Sequence, residues 1–256
     1  MTRSFRGRFR YSFLKVQAML LLAFGRPAAA LARFDQMASG WPLDRYALAS
    51  RAHVLAGLNR LEASIISQQQ VVGLPGSQAQ RAVDWFNLGY LQQHAGRHDE
   101  ARPSFEKATQ FNPAMDRAWY GLALVLMHQQ QFHEARQALK KNTALQPMSP
   151  HGWYRLAQVN LALGEPEKSR QVIDHLRQFE PRVAAQLERE ISRDGALNGQ
   201  THHMHPPAPC AVAKRGASCH RLKRAAVTGA KIWWLRPCCC WSGFLSPLVF
   251  PTSRAF

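Results

Sequence analysis

Trp85, Trp119 and Trp153 stand 34 residues apart, and each is followed by a second aromatic: Phe86, Tyr120, Tyr154. Three residues after each Trp comes a leucine (Leu88, Leu122, Leu156), then a small residue (Gly89, Ala123, Ala157). The same step relates Ala101, Ala135 and Ser169, then Phe105, Leu139 and Ile173, and finally Pro113, Pro147 and Pro181. A fixed period of this length is the mark of a stacked helix-pair array, in which each unit buries its apolar face only against its neighbours.

The physical sense of the spacing can be read within one unit. Trp85, Leu88 and Gln92 are three and four residues apart and share one face of a first helix. Gly96 permits the tight turn in Ala95-Gly96-Arg97-His98. Ala101, Phe105 and Ala108 form one stripe on a second helix. Gly89 and Ala101 are small where the two helices approach most closely. Asn112-Pro113 ends the second helix, and Ser149-Pro150 reads as an N-cap followed by proline at the first helical position. Pro103 falls near the end of the first turn of its helix, where a missing N–H is tolerable.

These residues resemble the tetratricopeptide repeat, with its Trp, Leu-Gly, Tyr, Ala, Phe, Ala and Pro places in 34 residues. The resemblance covers three clear units, 82–115, 116–149 and 150–183. Two degenerate units are expected over 11–78. In the first, Gly25, Ala30, Phe34, Met37 and Pro42 hold the register. In the second, Ala52, Leu55, Asn59, Ser64 and Pro75 lie near their places, and three extra residues, roughly 79–81, precede the clear repeats. Residues 184–193 read as a polar capping helix, and 1–10 as a basic extension. The expected fold is all-α: a solenoid of stacked antiparallel helix pairs forming a right-handed superhelix, with a disordered C-terminal tail over 194–256.

The net charge of +17 suggests nucleic acid until it is located. Arg3, Arg6, Arg8 and Arg10 lie at one end. Lys214, Arg215, Arg221, Lys223, Arg224, Lys231, Arg236 and Arg254 lie at the other, where no acid follows Asp194. The repeats between are only mildly basic, so the charge does not require nucleic acid. A rival reading is a nucleic-acid- or membrane-surface protein acting through these basic termini, with Trp233, Trp234 and Trp241 stacking on bases or sitting at a lipid interface.

All five cysteines are in the tail, so the fold needs no disulfide. Cys210, Cys219, His220 and Cys238 to Cys240 lack the paired spacing of a zinc site, and no metal or other cofactor is expected. The abrupt loss of acids and periodicity also fits an end of the reading frame that is an artefact. At the other end, the arginines, the run 18–24 and Ala28-Ala29-Ala30 admit two readings. One is a first repeat of a cytoplasmic protein. The other is a signal peptide over residues 1–30 of an exported cell-envelope repeat protein. No stretch reaches the length of a membrane span.

The resemblance implies a protein-interaction module rather than an enzyme, with first helices lining a concave face that holds a partner peptide. The places facing that groove fall on Phe86, Asn87 and Tyr90; on Arg117, Tyr120 and Leu124; and on His151, Tyr154, Arg155 and Gln158. Tyrosine and arginine are frequent interface anchors, and Arg117 and Arg155 suit a bidentate grip on a carboxylate. Trp85, Trp119 and Trp153 are expected in the core. Family members that grip acidic chaperone tails use two Lys, two Asn and one Arg. Those places here hold Phe86, Tyr90, Gly121, His151 and Arg155, so that recognition is not expected. His133-Glu134 lacks the second histidine of a zinc-protease helix, and no phosphate loop or nucleophile elbow occurs.

Overall fold

The computed structural model describes the backbone of residues 2–201 and the side chains of residues 7–192. In chain order the helices are α1 (Thr2–Ala23), α2 (Pro27–Gly40), α3 (Arg45–Gly57), α4 (Leu61–Val72), α5 (Gln78–His94), α6 (His98–Phe111), α7 (Asp116–His128), α8 (Phe132–Leu145), α9 (Pro150–Ala162), α10 (Pro166–Phe179) and α11 (Pro181–Thr201). The array through Arg189 belongs to one compact unit. Each helix from α1 to α10 packs mainly on its sequence neighbours, and α5 also touches α7 across α6. The result is an all-α solenoid of five helix pairs, built from nearest-neighbour contacts.

The five intra-pair turns share one geometry. Gly25, Asn59, Gly96, Gln130 and Gly164 have φ of +68°, +58°, +75°, +59° and +73°. The next residue's N–H then reaches back five residues: Arg26 to Leu21, Arg60 to Leu55, Arg97 to Gln92, Gln131 to Leu126 and Glu165 to Asn160, at 2.8–2.9 Å. This is the Schellman closure, which satisfies an orphan carbonyl at the end of a helix. The positive-φ residues are spaced 34, 37, 34 and 34 along the chain. The long step is taken up as an additional first turn on α5, which has 17 residues where α3, α7 and α9 have 13. Ser77 and Gln80 fix that turn with a capping box, and Asp44 caps α3 by accepting from the Ala47 N–H at 2.8 Å. Ser149 is the N-cap of α9 and Pro150 follows it, but the Ser149 side chain makes no capping bond.

One register orders the interior. Ala18, Ala52, Gly89, Ala123 and Ala157 on the first helices are buried, as are Ala30, Ser64, Ala101, Ala135 and Ser169 on the second. Phe34, Gln68, Phe105, Leu139 and Ile173 follow in the same way. Gln68 is the polar exception, and its Nε2 donates to the Asp84 carbonyl at 3.0 Å. Phe105 is fully buried, and its ring fills the space left by two glycines. A Cβ on Gly121 would lie 2.6 Å from that ring, and one on Gly89 3.0 Å from it. A ring, rather than close backbones, is what Gly89 accommodates.

Three local expectations need correction. The tryptophans are half-buried, not core: the indole N–H groups of Trp119 and Trp153 donate to the Pro113 and Pro147 carbonyls at 2.8 Å, which holds the rings at the surface between units. Leu14 and Leu48 take the Trp place in the first two units and are buried there. Pro103 lies inside α6, beyond the first turn, since Ala101 already donates to Arg97 at 3.0 Å; the next turn therefore lacks one bond. Lastly, α11 starts at Pro181 and runs through residues 194–201, so the first part of the expected structureless tail is helical. Ala196 and Leu197 favour helix, and although Gly195 and Gly199 weaken it, no proline interrupts 190–201. Ala184 and Leu187 seal α11 onto the array, and Arg177 pairs with Glu188. The tail cysteines, histidines and tryptophans lie outside the described residues.

Candidate partner-binding groove

The direct contact of α5 with α7 across α6 puts these two first helices on one side of the array, and the repeat register places α1, α3 and α9 with them. On α5, Phe86 and Asn87 are only 4% and 5% exposed, so they floor this face rather than line it. Phe86 is drawn inward because its ring packs on Phe105, with centroids 6.0 Å apart, and on Tyr90 at 6.4 Å. Asn87 Oδ1 is buried and has no hydrogen-bond partner, which leaves an acceptor beneath the surface. Tyr90 is half-buried against the His94 imidazole at 4.3 Å, and burial pushes its hydroxyl pKa up.

On α7, Arg117 is exposed, with its guanidinium 5.6 Å from the Phe86 ring centre. Tyr120 and Leu124 are half-exposed on the same helix. On α9, His151 is exposed, while Tyr154, Arg155 and Gln158 are half-buried. Arg155 donates to Gln158 Oε1 at 2.9 Å and lies 5.7 Å from the Tyr154 ring centre. Phe86, Asn87, Tyr90 and Arg117 thus form one group. Tyr154, Arg155 and Gln158 form a second, with Tyr120 and Leu124 on the intervening helix.

Sequence reasoning missed a cavity at the other end of the same face. Met19 and Leu22 of α1, Phe34 of α2, and Tyr46, Ser50, His53 and Val54 of α3 line an open pocket of about 310 Å³. Its walls are almost wholly apolar. Burial lowers the His53 pKa, so the ring is more readily neutral there. Burial is also the main reason the Tyr46 pKa rises; a bond with Ser50 opposes the rise and the Asp44 charge adds to it. Lys15 Nζ sits 4.2 Å from the Tyr46 ring centre. The signal was available: stepping back from Tyr90 by the long period reaches His53, and one ordinary period more reaches Met19. No cluster of three or more metal-ligating side chains occurs among the described residues.

Models of the tetratricopeptide repeat match residues 93–153, and 16–79 with 129–182, together more than half of the chain. Among solved structures, the fold is similar to MamA from Desulfovibrio magneticus RS-1, with a TM-score of 0.60 at 19% identity over 71% of this chain and 96% of that one. A second MamA structure gives 0.63 at 15% identity, over 69% and 94%. YrrB, a repeat protein described by its unusual peptide-binding site, gives 0.59 at 16% identity, over 67% and 88%. At these identities the likeness is one of fold. No curated protein matches this sequence.

Proposed function

We propose that this chain, which belongs to the tetratricopeptide-repeat family, captures a segment of a partner protein along the face lined by α1, α3, α5, α7 and α9. The family supports a protein-interaction module; the segment and the side chains that hold it are our reading. The observation that carries it is the apolar cavity at Met19, Tyr46, Ser50 and His53. Its Met19 and His53 stand in the same register as the half-exposed Tyr90, Leu124 and Gln158, and Tyr120 and Tyr154 lie on the neighbouring helices of that face.

A cavity of about 310 Å³ suits one or two apolar side chains. A segment anchored there runs toward α9 over the aromatic positions. Tyr120 and Tyr154 supply contact area, and Arg117 and Arg155 supply orientation toward a carboxylate or carbonyl. Asn87 Oδ1 offers an acceptor to a donor that enters beside Tyr90. The peptide-binding site for which YrrB is described supports a peptide as the class of occupant. Nothing in this reading calls for catalysis.

The test is a double variant, Tyr120→Ala with Arg155→Ala, in capture from an extract of the native source. Helicity by circular dichroism stays at the wild-type value, and the specifically captured protein is lost. Capture that is unchanged in this variant refutes the groove assignment.

A further inference from the structure

The outer face of α1 is apolar, and none of the described residues of the other helices covers it. Phe9, Phe13, Val16 and Leu20 are 69%, 54%, 56% and 52% exposed, and Phe24, just past the helix, is 78% exposed. Their spacing of four, three, four and four residues puts them in one stripe. From Phe9 to Leu20 the stripe runs about 16 Å along the helix at the usual rise per residue. The opposite face carries Leu14 and Ala18, which are buried against the array with Tyr11, Leu21 and Leu22 partly covered. The inner face is therefore accounted for by the fold, and the outer one is not.

Charge identifies what suits the stripe. Residues 1–34 carry seven Lys or Arg and no acid; the first acid is Asp35, which already pairs with Arg51 at 2.6 Å. Arg8 and Arg10 beside the stripe and Arg26 at its far end are all exposed. Phenylalanines in a row flanked by arginines match the boundary of an anionic bilayer, where rings enter the acyl region and guanidinium groups meet phosphates. A second copy laid on the same stripe sets cation against cation. The basic, acid-free C-terminal segment carries the same sign and is opposed in the same way. None of the helices among the described residues is long and apolar enough to cross a membrane. We propose that the exposed face of α1 docks this protein flat on an anionic membrane surface, independently of the groove.

Flotation of the full chain with vesicles tests it. Vesicles of phosphatidylcholine containing about one third phosphatidylserine carry the surface charge the stripe needs. Wild-type protein floats with these and binds pure phosphatidylcholine at least about tenfold more weakly. Raising salt from about 0.1 to 0.5 M weakens the anionic binding steeply. Phe9→Ser with Phe13→Ser and Leu20→Ser lowers it by about tenfold or more at unchanged net charge, and Arg8→Gln with Arg10→Gln lowers it by a similar factor. All these positions are exposed, so helicity and elution volume stay at wild-type values. Four results overturn the proposal: no flotation with either vesicle, equal binding to neutral vesicles, binding undiminished by the triple variant, or a wild-type dimer that the triple variant converts to monomer.

Discussion

Phe105 and Gly121 should be strongly coupled, and the sign of one substitution should reverse with the other. A methyl added at Gly121 would lie 2.6 Å from two carbons of the Phe105 ring. That ring cannot swing away, since it is fully buried between α5 and α7 and packs on Phe86. Overpacking of this kind costs about 1–3 kcal/mol, whereas replacing a mid-helix glycine by alanine gains about 1 kcal/mol of helix propensity. Gly121→Ala alone is therefore neutral to destabilising by about 2 kcal/mol. Phe105→Ala alone costs about 3–5 kcal/mol, through lost burial and the cavity it leaves. In that background the methyl at position 121 enters vacated space, and Gly121→Ala becomes stabilising by about 1 kcal/mol. Urea unfolding of the four proteins yields the cycle, with a coupling of about 1–3 kcal/mol expected. Additive effects within about 0.5 kcal/mol would refute the account of how α5, α6 and α7 interlock.

The turns give a second prediction. Gln130→Gly removes the strain of a side chain at φ +59° and raises stability by about 0.5–1 kcal/mol, while Gly96→Ala at φ +75° lowers it by about 1–2 kcal/mol, both read from urea midpoints. The junction of the second and third units rests on Arg45, which pairs with the buried Asp84 and donates to the Pro75 carbonyl at 2.8 Å. Asp84→Ala strands that guanidinium and costs about 3 kcal/mol or more by thermal or urea unfolding; a loss below about 1 kcal/mol would show the pair to be dispensable. The His98 and His128 rings stack 3.7 Å apart. Burial first and the His128 charge second lower the His98 pKa, with Asp99 opposing, and burial lowers that of His53. Both groups take up protons less readily folded than unfolded, so stability is complete above the ordinary histidine value of about 6.5 and falls as pH drops below it. A melting temperature that declines from pH 7.5 toward 5.5, and declines less in His98→Gln, is the expected result; an unchanged slope in the variant contradicts it.

The fold was legible because the repeat encodes itself several times over. Trp, the small pairs and the Phe105 series recur at one step, so a single misread residue changes little. The degenerate units were harder because their chemistry is substituted place by place. Leu14 and Leu48 stand for Trp, Asn59 for the turn glycine, and Gln68 for an apolar side chain whose amide is satisfied across the junction. The groove was less legible. Register shows which positions share a face, but not how deeply each side chain sinks. Phe86 went down because its ring packs on Phe105, whose own place beside Gly121 is a three-helix effect that no single unit displays. The cavity at Met19 and His53 depends on how α1 leans on α3, which spacing alone does not report. The tryptophans misled for a related reason, since an indole N–H needs a partner and found it in a surface carbonyl.

Site-specific photo-crosslinking tests the central claim most directly. A benzophenone side chain is placed at Tyr120, on the inner face of α7, and in a separate protein at Gln137, exposed on α8 of the outer layer. The account predicts that the partner protein is trapped from position 120 and not from position 137. Trapping from 137 alone, or equally from both, would contradict the groove as the site where this protein meets its partner.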